Sequence, residues 1–371
     1  MEKLKPIEHK FKAFFFKVFE KTLKKGAAEF HPLEGNKIRK VLFLRPERIG
    51  DMVISLPVFD GLKESFPHIK ISVLGSPKNF PLIKSDPRFD RIFIYTKNAW
   101  SDLPEFYRIR KQRFDCVVDM ICDDSVTALF LSQYLAPGKP RIGVGKNKFS
   151  EYYDFNFDHR MNNTGHIIEN TLKLLEAFGI DSSRVNPYAP PYMGNGSVAK
   201  AENYFSSLDD YSMNELKIGI NLSAGASSRV WSNENYRQLS NEILSAYPGS
   251  RIVLFTIPSE RERGNQIIGR NNSRVSLIPD KLDLTDVCAI IAGLNVLITP
   301  DTSLVHIARA LKIPVVGLYT RYMKNYLLWR PYGQEVGSVI SGNDHNVHDI
   351  TVDQVLETLH QVIGTAIRVK K

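Results

Sequence analysis

The feature that most constrains this chain is an alternation of short apolar runs and helical patterns, which begins at Lys40 and recurs in two halves. The runs are rich in β-branched residues. Strands of that kind separated by helices pair in parallel, because a crossover helix returns the chain to the same end of the sheet. The predicted strands are 41–44, 69–74, 91–95, 116–120 and 141–144 in the first half, and 217–222, 251–256, 275–277, 296–299 and 315–319 in the second. The predicted helices are 51–65, 125–135, 167–178, 233–246, 260–269, 284–292, 302–311 and 352–363. The sequence therefore predicts an α/β fold with two doubly wound sheets.

The length of the chain and a proline-rich interruption indicate two domains. A chain of 371 residues exceeds one ordinary core, and residues 181–197, with three prolines, are typical of an interdomain linker. We predict an N-terminal arm at 1–39, a first domain at 40–180 and a second domain at 198–371, whose last helix can pack back on the first domain. Doubly wound sheets bind ligands at the carboxyl ends of their strands, so the expected site is the cleft between the domains.

The net charge of +9 is concentrated in the N-terminal arm. Residues 1–40 hold 11 lysines and arginines against 5 aspartates and glutamates, and on a helix Phe11, Phe15 and Val18 share one face. A basic amphipathic helix suits an anionic membrane surface. Packing of the same helix on the protein's own surface explains the pattern equally well, and both interpretations remain open. The rest of the chain is nearly balanced in charge, which argues against a nucleic-acid partner.

No targeting or membrane-spanning segment is recognisable in the sequence. No apolar stretch approaches the roughly 20 residues of a transmembrane helix, and the N-terminus lacks the features of a secretory signal. We therefore expect a cytoplasmic protein, peripheral on the inner face of the cytoplasmic membrane if the arm at 1–39 contacts that surface.

A charged loop follows the first predicted strand. Its sequence is Arg45-Pro-Glu-Arg48-Ile-Gly-Asp51, and Asp51 falls where the loop becomes a helix. An aspartate at a helix start can cap the helix by accepting backbone N–H bonds. At a strand end that faces a cleft, the same carboxylate can act as a general base. From position alone, capping is the simpler interpretation.

In the second half, the segment 223–231 has the composition of an anion-binding loop. Small residues let backbone N–H groups approach an anion, and the serines add hydroxyl donors. The guanidinium of Arg229 offers a fork of donors that suits phosphate oxygens. Trp231 is interpreted as a packing residue rather than a ligand platform.

The most informative segment is Val296-Leu-Ile-Thr-Pro-Asp301-Thr-Ser-Leu-Val-His306, in which a buried strand runs into a helix. The free N–H groups and the positive dipole end at Thr302 and Ser303 favour a diphosphate. Asp301 would repel phosphate, so we interpret it as a cap or as an acceptor for sugar hydroxyls. His306, one turn into the helix, is either a buried core residue or a group that reaches the ligand, and the neighbouring donors favour the second interpretation.

The sequence predicts neither a metal centre nor a cofactor. Cys116, Cys122 and Cys288 show no paired framework and no Cys-x-x-Cys spacing, so we expect reduced thiols. The segment 344–349 brings aspartates and histidines together without the helical histidine spacing of hydrolase metal sites. Dinucleotide, Walker A and nucleophile-elbow motifs are absent from the sequence.

Several of these segments, taken in order, resemble the bacterial ADP-heptose:lipopolysaccharide heptosyltransferases, which form glycosyltransferase family 9. The resemblance extends from about Lys40 to the C-terminus, and its strongest stretches are 41–51, 223–231 and 301–306. It implies a GT-B fold of two Rossmann-like domains that face each other across a cleft, and an inverting transfer that needs no metal. Asp51 matches the proposed base of the family, which favours catalysis over capping.

The resemblance also implies a nucleotide-sugar donor site in the second domain. Arg229 stands where the family has a lysine that meets the donor diphosphate, and Glu260 resembles the acidic residue that binds the ribose. Ser303 replaces the glycine of the family's Asp-Thr-Gly motif, so a side chain narrows the approach to the phosphates, although serine can also donate a hydrogen bond. The predicted donor-binding residues are Ser223, Gly225, Ser227, Arg229, Glu260, Asp301, Thr302, Ser303, Leu304 and His306.

The function that we expect from this resemblance is transfer of a heptose from ADP-heptose to a lipopolysaccharide core acceptor, a lipid-linked glycan. Asp51 would take the proton of the acceptor hydroxyl, while Arg45 and Arg48 would hold anionic groups of the acceptor. Three alternatives remain: a transferase of the same fold that uses another nucleotide sugar for a different surface polysaccharide, a degenerate non-catalytic protein that binds nucleotide sugars, and a nucleotide-sugar epimerase of similar architecture.

Overall fold

The computed structural model describes residues 20–27, 29–158, 165–208, 215–268 and 273–369. The helix predicted for the N-terminal arm, with Phe11, Phe15 and Val18 on one face, lies outside the described residues. Among the helices that are described, none combines the length and the apolar character that a bilayer-spanning segment needs.

The first of two six-stranded sheets has the strand order β3-β2-β1-β4-β5-β6. Its described strands pair in parallel throughout. The strands are β1 (Lys40–Leu44), β2 (Lys70–Gly75), β3 (Arg91–Ile94), β4 (Cys116–Asp119), β5 (Arg141–Val144) and β6 (Phe155–Phe157). Because β1 lies between β2 and β4, the direction of strand addition reverses at β1, and a crevice opens at its carboxyl end.

The second sheet repeats this arrangement with the order β12-β11-β10-β7-β8-β9, again with parallel pairing between the described strands. Its strands are β7 (Leu216–Asn221), β8 (Ser250–Phe255), β9 (Val275–Leu277), β10 (Val296–Pro300), β11 (Val315–Tyr319) and β12 (Ser338–Ile340). Here the order reverses between β7 and β10. The two segments that the sequence singled out for phosphate binding follow these two strands directly. We call the parts of the chain built on the two sheets the first lobe and the second lobe.

Helices connect the strands of each sheet. They are α1 (Ile49–Ser65), α2 (Phe80–Ile83), α3 (Ala99–Arg110), α4 (Val126–Leu135), α5 (Ile167–Leu172), α6 (Asn195–Ser206), α7 (Asn233–Ala246), α8 (Arg261–Ile268), α9 (Leu284–Ala292), α10 (Ser303–Ala310), α11 (Met323–Trp329) and α12 (Val352–Val369). The helix predicted at 167–178 is α-helical only to Leu172 and continues as a 3₁₀ turn to Phe178. Gly179 closes it with a φ of 71°, a left-handed conformation that favours glycine.

The two lobes touch through α1 and α10. Gly50, in the first turn of α1, has no side chain, and a Cβ there would lie 3.1 Å from Cδ2 of His306. An ion pair between Lys84 and Asp283, with a 2.6 Å separation, also links the lobes. The last helix, α12, buries Val355 and Leu359 in the core of the second lobe. That this helix can also pack back on the first domain stays a prediction.

Candidate active site

Asp51 lies in the first turn of α1, at the point where the strand order of the first sheet reverses. Its Oδ2 accepts a hydrogen bond from the backbone N–H of Arg48, the N-cap residue, over 3.0 Å, so the carboxylate caps the helix as the third residue of a capping box. Its Oδ1 lies 3.7 Å from Nη2 of Arg45, and the side chain is 12% exposed. Because the cap uses Oδ2, it leaves Oδ1 to accept a proton. The capping interpretation is thus confirmed without excluding a catalytic role.

Arg45 is buried beneath the loop that carries Asp51. Its Nε donates to the carbonyl oxygen of Asp51 over 3.0 Å, and its Nη1 donates to the carboxylate of Glu47 and to the carbonyl oxygen of Met120. Burial lowers the pKa of Arg45, but the carboxylates of Glu47 and Asp51 raise it and prevail, so the guanidinium stays charged. A buried side chain held in this way positions the loop. Arg45 is buried, whereas Arg48 is exposed, and the acceptor contact that the sequence predicted for both arginines stays a prediction.

Glu47 is a site residue that the sequence analysis missed. Its carboxylate pairs with Arg45 only four positions before Asp51. Burial raises the pKa of Glu47, the charge of Arg45 opposes that rise, and the charge of Asp51 adds to it. The loop therefore holds two carboxylates around one guanidinium. The alternation of positive and negative residues in this loop is the sequence signal that could have identified Glu47.

His306 lies at the contact between the lobes. It is buried, its ring lies 5.7 Å from that of Trp329, and its Nδ1 has no hydrogen-bond partner among the described residues. The pKa of His306 is lowered to about 4, mainly by burial and also by the charge of Arg309, while the carboxylate of Asp51 opposes the change. The imidazole is consequently neutral at neutral pH, and it faces the first lobe across Gly50.

Asp301, at the end of β10, is bound by side chains from two other segments. Nη1 of Arg229 donates to Oδ2 of Asp301 over 3.0 Å and to its carbonyl oxygen over 2.7 Å. Nδ2 of Asn325 donates to the same Oδ2 over 3.3 Å. Burial raises the pKa of Asp301, while Arg229, Asn325 and, from the first lobe, Arg48 act to lower it. Arg48 therefore acts electrostatically across the cleft. Asn325, on α11, was missed because its helix was not predicted.

Thr302 is the N-cap of α10. Its Oγ1 accepts a hydrogen bond from the backbone N–H of Leu304 over 3.3 Å and another from Nδ2 of Asn221, also over 3.3 Å. Asn221 ends β7, so this amide ties the ends of the two central strands together. Ser303 is the first helical residue, and its Cα lies 3.7 Å from the position of a Cβ on Gly50. The first turn of α10 thus lies against the first lobe.

Glu260 is held by a serine from the loop after β7. Oγ of Ser223 donates to Oε2 of Glu260 over 2.7 Å and accepts from the backbone N–H of Ile257 over 3.0 Å. Ser223 is buried, and its hydroxyl holds the carboxylate of Glu260. Gly225 and Ser227 are exposed, and the space beside Gly225 is open.

Two cavities lie on either side of the short 3₁₀ turn Ser227–Arg229. One, of about 600 Å³, is lined by residues that include Trp231, Glu260 and Arg263, and its surface is mostly apolar. The other, of about 220 Å³, is mostly polar, and its lining includes Arg229, Asp301, Tyr322 and Asn325. Trp231 is buried and donates from Nε1 to the carbonyl oxygen of Ile350 over 2.8 Å, which confirms its packing role.

The described cysteines, Cys116, Cys122 and Cys288, are free thiols. Among the described residues, no group of three or more histidine, cysteine, aspartate or glutamate side chains is arranged to hold a metal ion.

Comparison with known proteins identifies the family. The sequence profile described as glycosyltransferase family 9 (heptosyltransferase) matches residues 106–360. Lipopolysaccharide heptosyltransferase 3 of Escherichia coli is 22% identical over 303 residues, which cover 77% of this chain and 84% of that protein.

Two solved structures share the fold. The crystal structure of the glycosyl transferase family 9 from Veillonella parvula superimposes with a TM-score of 0.73 at 16% identity, covering 90% of this chain and 99% of that one. The Escherichia coli heptosyltransferase WaaC with ADP gives a TM-score of 0.66 at 17% identity, covering 88% of this chain and 99% of that one. The two facing sheets are thus the GT-B fold, as the sequence predicted. Since the profile spans more than half of the chain, this protein belongs to glycosyltransferase family 9 and is a glycosyltransferase.

Proposed function

We propose that the protein transfers a heptose from ADP-heptose to the core of a lipopolysaccharide acceptor, with inversion at the anomeric carbon. The observation that carries the proposal is the approach of the two helix starts. The first turn of α1, with Asp51, lies against the first turn of α10, with Thr302 and Ser303, through the contact at Gly50. A base and an anion-binding helix start are therefore brought to one place from opposite lobes.

The two cavities of the second lobe fit the parts of a nucleotide sugar. The larger, mostly apolar cavity suits a nucleobase, and Glu260 on its wall suits the ribose hydroxyls as an acceptor. The smaller polar cavity suits a single sugar ring, with Asp301 and Asn325 available to its hydroxyls. Arg229 lies on the turn between the cavities, which is where a diphosphate would join the two halves.

The reaction that we propose is a single displacement. Oδ1 of Asp51 takes the proton of the acceptor hydroxyl as that oxygen forms a bond to the anomeric carbon. The bond from the anomeric carbon to the diphosphate oxygen breaks, and ADP leaves with the electron pair. Arg229, the first N–H groups of α10 and the hydroxyl of Ser303 stabilise the growing negative charge. A neutral His306 leaves Asp51 without a competing cation from that side.

The exposed Arg48 is placed to meet anionic groups of the acceptor, while Arg45 keeps the loop in position from below. A guanidinium binds phosphate or carboxylate in a bidentate manner. Residues 1–39 remain a candidate for contact with the membrane in which such an acceptor is anchored.

The test is to incubate the purified protein with ADP-heptose and truncated lipopolysaccharide, alongside other nucleotide sugars and an Asp51→Asn variant. Heptose-extended product with ADP-heptose alone supports the proposal. Product with a different donor only would assign the same fold to another surface polysaccharide. Binding of ADP-heptose without turnover by the unmodified protein would contradict transfer and favour a non-catalytic binding role. Altered donor in the absence of acceptor would indicate an epimerase.

Two residues of the site favour the alternative that the donor is a nucleotide sugar other than ADP-heptose. Ser303 stands where the family motif has glycine, and Arg229 stands where it has lysine, so two donor contacts differ in this chain. Thermal unfolding of the protein with each nucleotide sugar of the panel tests this alternative. A ligand that binds the folded protein raises its melting temperature, so the preferred donor should give the largest rise.

A further inference from the structure

A stripe of exposed apolar side chains runs along α3 in the first lobe. Trp100, Leu103 and Tyr107 are 90%, 63% and 55% exposed, and their spacing puts them on one face of the helix. The helix packs on the lobe through the opposite face, where Asp102 and Ile109 are buried. Single exposed apolar residues are ordinary on protein surfaces, but a contiguous stripe marks an interaction surface.

Basic side chains surround this stripe. Residues 97–113 contain five lysines and arginines against two acidic residues. Both acidic side chains are engaged within the protein, since Asp102 accepts hydrogen bonds from Thr96 and Glu105 pairs with Arg108 at 3.4 Å. The exposed basic residues are Lys97, Arg108, Arg110, Lys111 and Arg113. The surface is therefore apolar along its centre and positive at its borders.

The N-terminal arm enters the first lobe beside the same surface. The backbone N–H of Lys24 donates to Oε1 of Gln133 over 2.9 Å, and Nε2 of Gln133 donates to the carbonyl oxygen of Lys24 over 3.0 Å. The next residue of α4, Tyr134, has its ring 4.9 Å from the guanidinium of Arg110 on α3. Since the arm and α3 are both basic, mutual repulsion disfavours the arm as the group that covers the stripe. A second copy of α3 is disfavoured for the same reason.

The stripe begins, at Trp100, near the edge of the sheet that carries Asp51. Strand β3 ends at Ile94 and α3 begins at Ala99, so Trp100 is near the carboxyl edge of the first sheet. Strand β3 is two strands away from β1, which corresponds to about 10 Å across the sheet. An external surface to which α3 binds would thus lie beside the opening of the cleft.

We propose that α3 docks the protein on an anionic phospholipid bilayer. Trp100, Leu103 and Tyr107 enter the interfacial region, where amphipathic aromatic rings are favoured. The surrounding lysines and arginines meet the lipid phosphates, to which basic segments are attracted. This binding goes beyond the proposed sugar transfer and requires neither donor nor acceptor, so it is measured independently of that reaction.

The test is co-sedimentation of the full-length protein with phosphatidylglycerol-containing vesicles and with purely zwitterionic vesicles. We expect binding to the anionic vesicles, and a loss of roughly 10- to 30-fold in affinity when Arg108→Gln and Lys111→Gln are combined. The combined substitutions Trp100→Ser, Leu103→Ser and Tyr107→Ser should abolish sedimentation. Matched controls are Arg184→Gln with Arg321→Gln, which removes two exposed charges outside the arm and α3, and Val336→Ser, which removes an apolar residue of the second lobe that is as exposed as Tyr107.

Tryptophan fluorescence separates this surface from the N-terminal arm. The chain has three tryptophans, at 100, 231 and 329, and none of them lies in the arm. Lipids brominated in their acyl chains should quench the emission, and Trp100→Phe should remove most of that quenching while vesicle binding persists. Vesicle binding without quenching of Trp100 would place the contact elsewhere and overturn the proposal. Equal binding to zwitterionic vesicles, no binding at all, or protection of Trp100 from iodide in lipid-free protein would also overturn it.

Discussion

Arg229 is bound to Asp301, with Nη1 of the guanidinium 3.0 Å from Oδ2 of the carboxylate. The cation that is expected to meet the diphosphate therefore has a carboxylate partner beforehand. A guanidinium has five N–H donors, so Arg229 can keep this contact and still donate to a phosphate. The pair also fixes the turn that separates the two cavities to the end of β10.

Replacement of Arg229 by alanine should weaken ADP binding. A hydrogen bond to a charged group is worth roughly 1.5–3 kcal/mol, so we expect the dissociation constant to rise by about 10- to 150-fold. Arg229→Lys keeps the charge and should lose less ADP affinity than Arg229→Ala. Isothermal titration with ADP measures both, and Arg237→Ala, which changes a half-buried arginine on α7 that pairs with Glu234, is the control. An unchanged ADP affinity in Arg229→Ala would exclude this residue from the donor site.

Replacement of Asp51 by asparagine should separate catalysis from capping. The amide oxygen of asparagine still accepts the N–H of Arg48, so helix α1 keeps its cap, but the side chain no longer takes a proton. We expect the turnover rate to fall by roughly 10²–10⁴-fold, with ADP affinity and melting temperature close to those of the unmodified protein. Asp51→Ala removes both roles and should also lose about 1 kcal/mol of stability. Near-normal turnover in Asp51→Asn would show that another group is the base.

The regular part of the fold could be predicted because it depends on local patterns. Each central strand carries a short, nearly continuous apolar run, as expected for strands buried on both faces, and the predicted strand bounds agree with the structure to within one residue. Of the three strands that have three residues each, β9 was predicted and β6 and β12 were missed, because so short a run barely shows a pattern. Helix α3 was missed for a different reason. Its apolar residues lie on two opposite faces, so the helix lacks the single stripe by which amphipathic helices are recognised.

The site was only partly predictable, because its contacts join segments that are distant in the chain. The sequence identified the segments around Asp51 and Asp301, since each follows a strand that is recognisable by itself. It did not indicate that Asn325 would bind Asp301 or that Asn221 would bind Thr302. It also did not reveal that Arg45 would be buried. Those features depend on how the loops fold over the strand ends, and a single sequence carries no direct signal for that packing.

The buried histidine at the lobe contact should make stability depend on pH. The pKa of His306 is about 4 in the folded protein, against an ordinary value of 6.5. Between pH 6.5 and 4 the unfolded chain takes up a proton that the folded protein does not, so stability falls as the pH falls through this window and is fully present above it. The expected loss in the free energy of unfolding from pH 6.5 to pH 4 is roughly 3 kcal/mol.

Urea unfolding of the unmodified protein and of His306→Gln at pH 7, 5.5 and 4.5 measures this contribution. The variant should lose less stability than the unmodified protein as the pH is lowered. His166 is also buried, with a pKa of about 3, and it adds its own pH dependence to both proteins, because burial, rather than the charge of His306, is the main cause of its lowered pKa. The exposed His31→Gln is the control. Parallel curves for His306→Gln and the unmodified protein would contradict the prediction.

The serine at 303 should act as a donor to the diphosphate rather than as an obstacle. It is the first residue of α10, beside the free N–H groups of the helix start, and its Cα faces Gly50 across the cleft. If its hydroxyl donates to a phosphate oxygen, Ser303→Ala removes that bond and keeps the Cβ, so ADP affinity should fall by about 10-fold. Ser303→Gly restores the family's glycine and removes the Cβ as well. It should bind ADP better than the alanine variant and less tightly than serine.

Glycine at this position also lowers the intrinsic stability of α10 by up to about 1 kcal/mol, so thermal unfolding must accompany the titrations. Ser85→Ala, at an exposed site of the first lobe, is the control for loss of a hydroxyl. If both Ser303 variants bound ADP more tightly than the unmodified protein, the side chain would be an obstruction. In that case the serine side chain would contribute no hydrogen bond to the diphosphate, and it would only reduce the space available to the phosphates in the donor site.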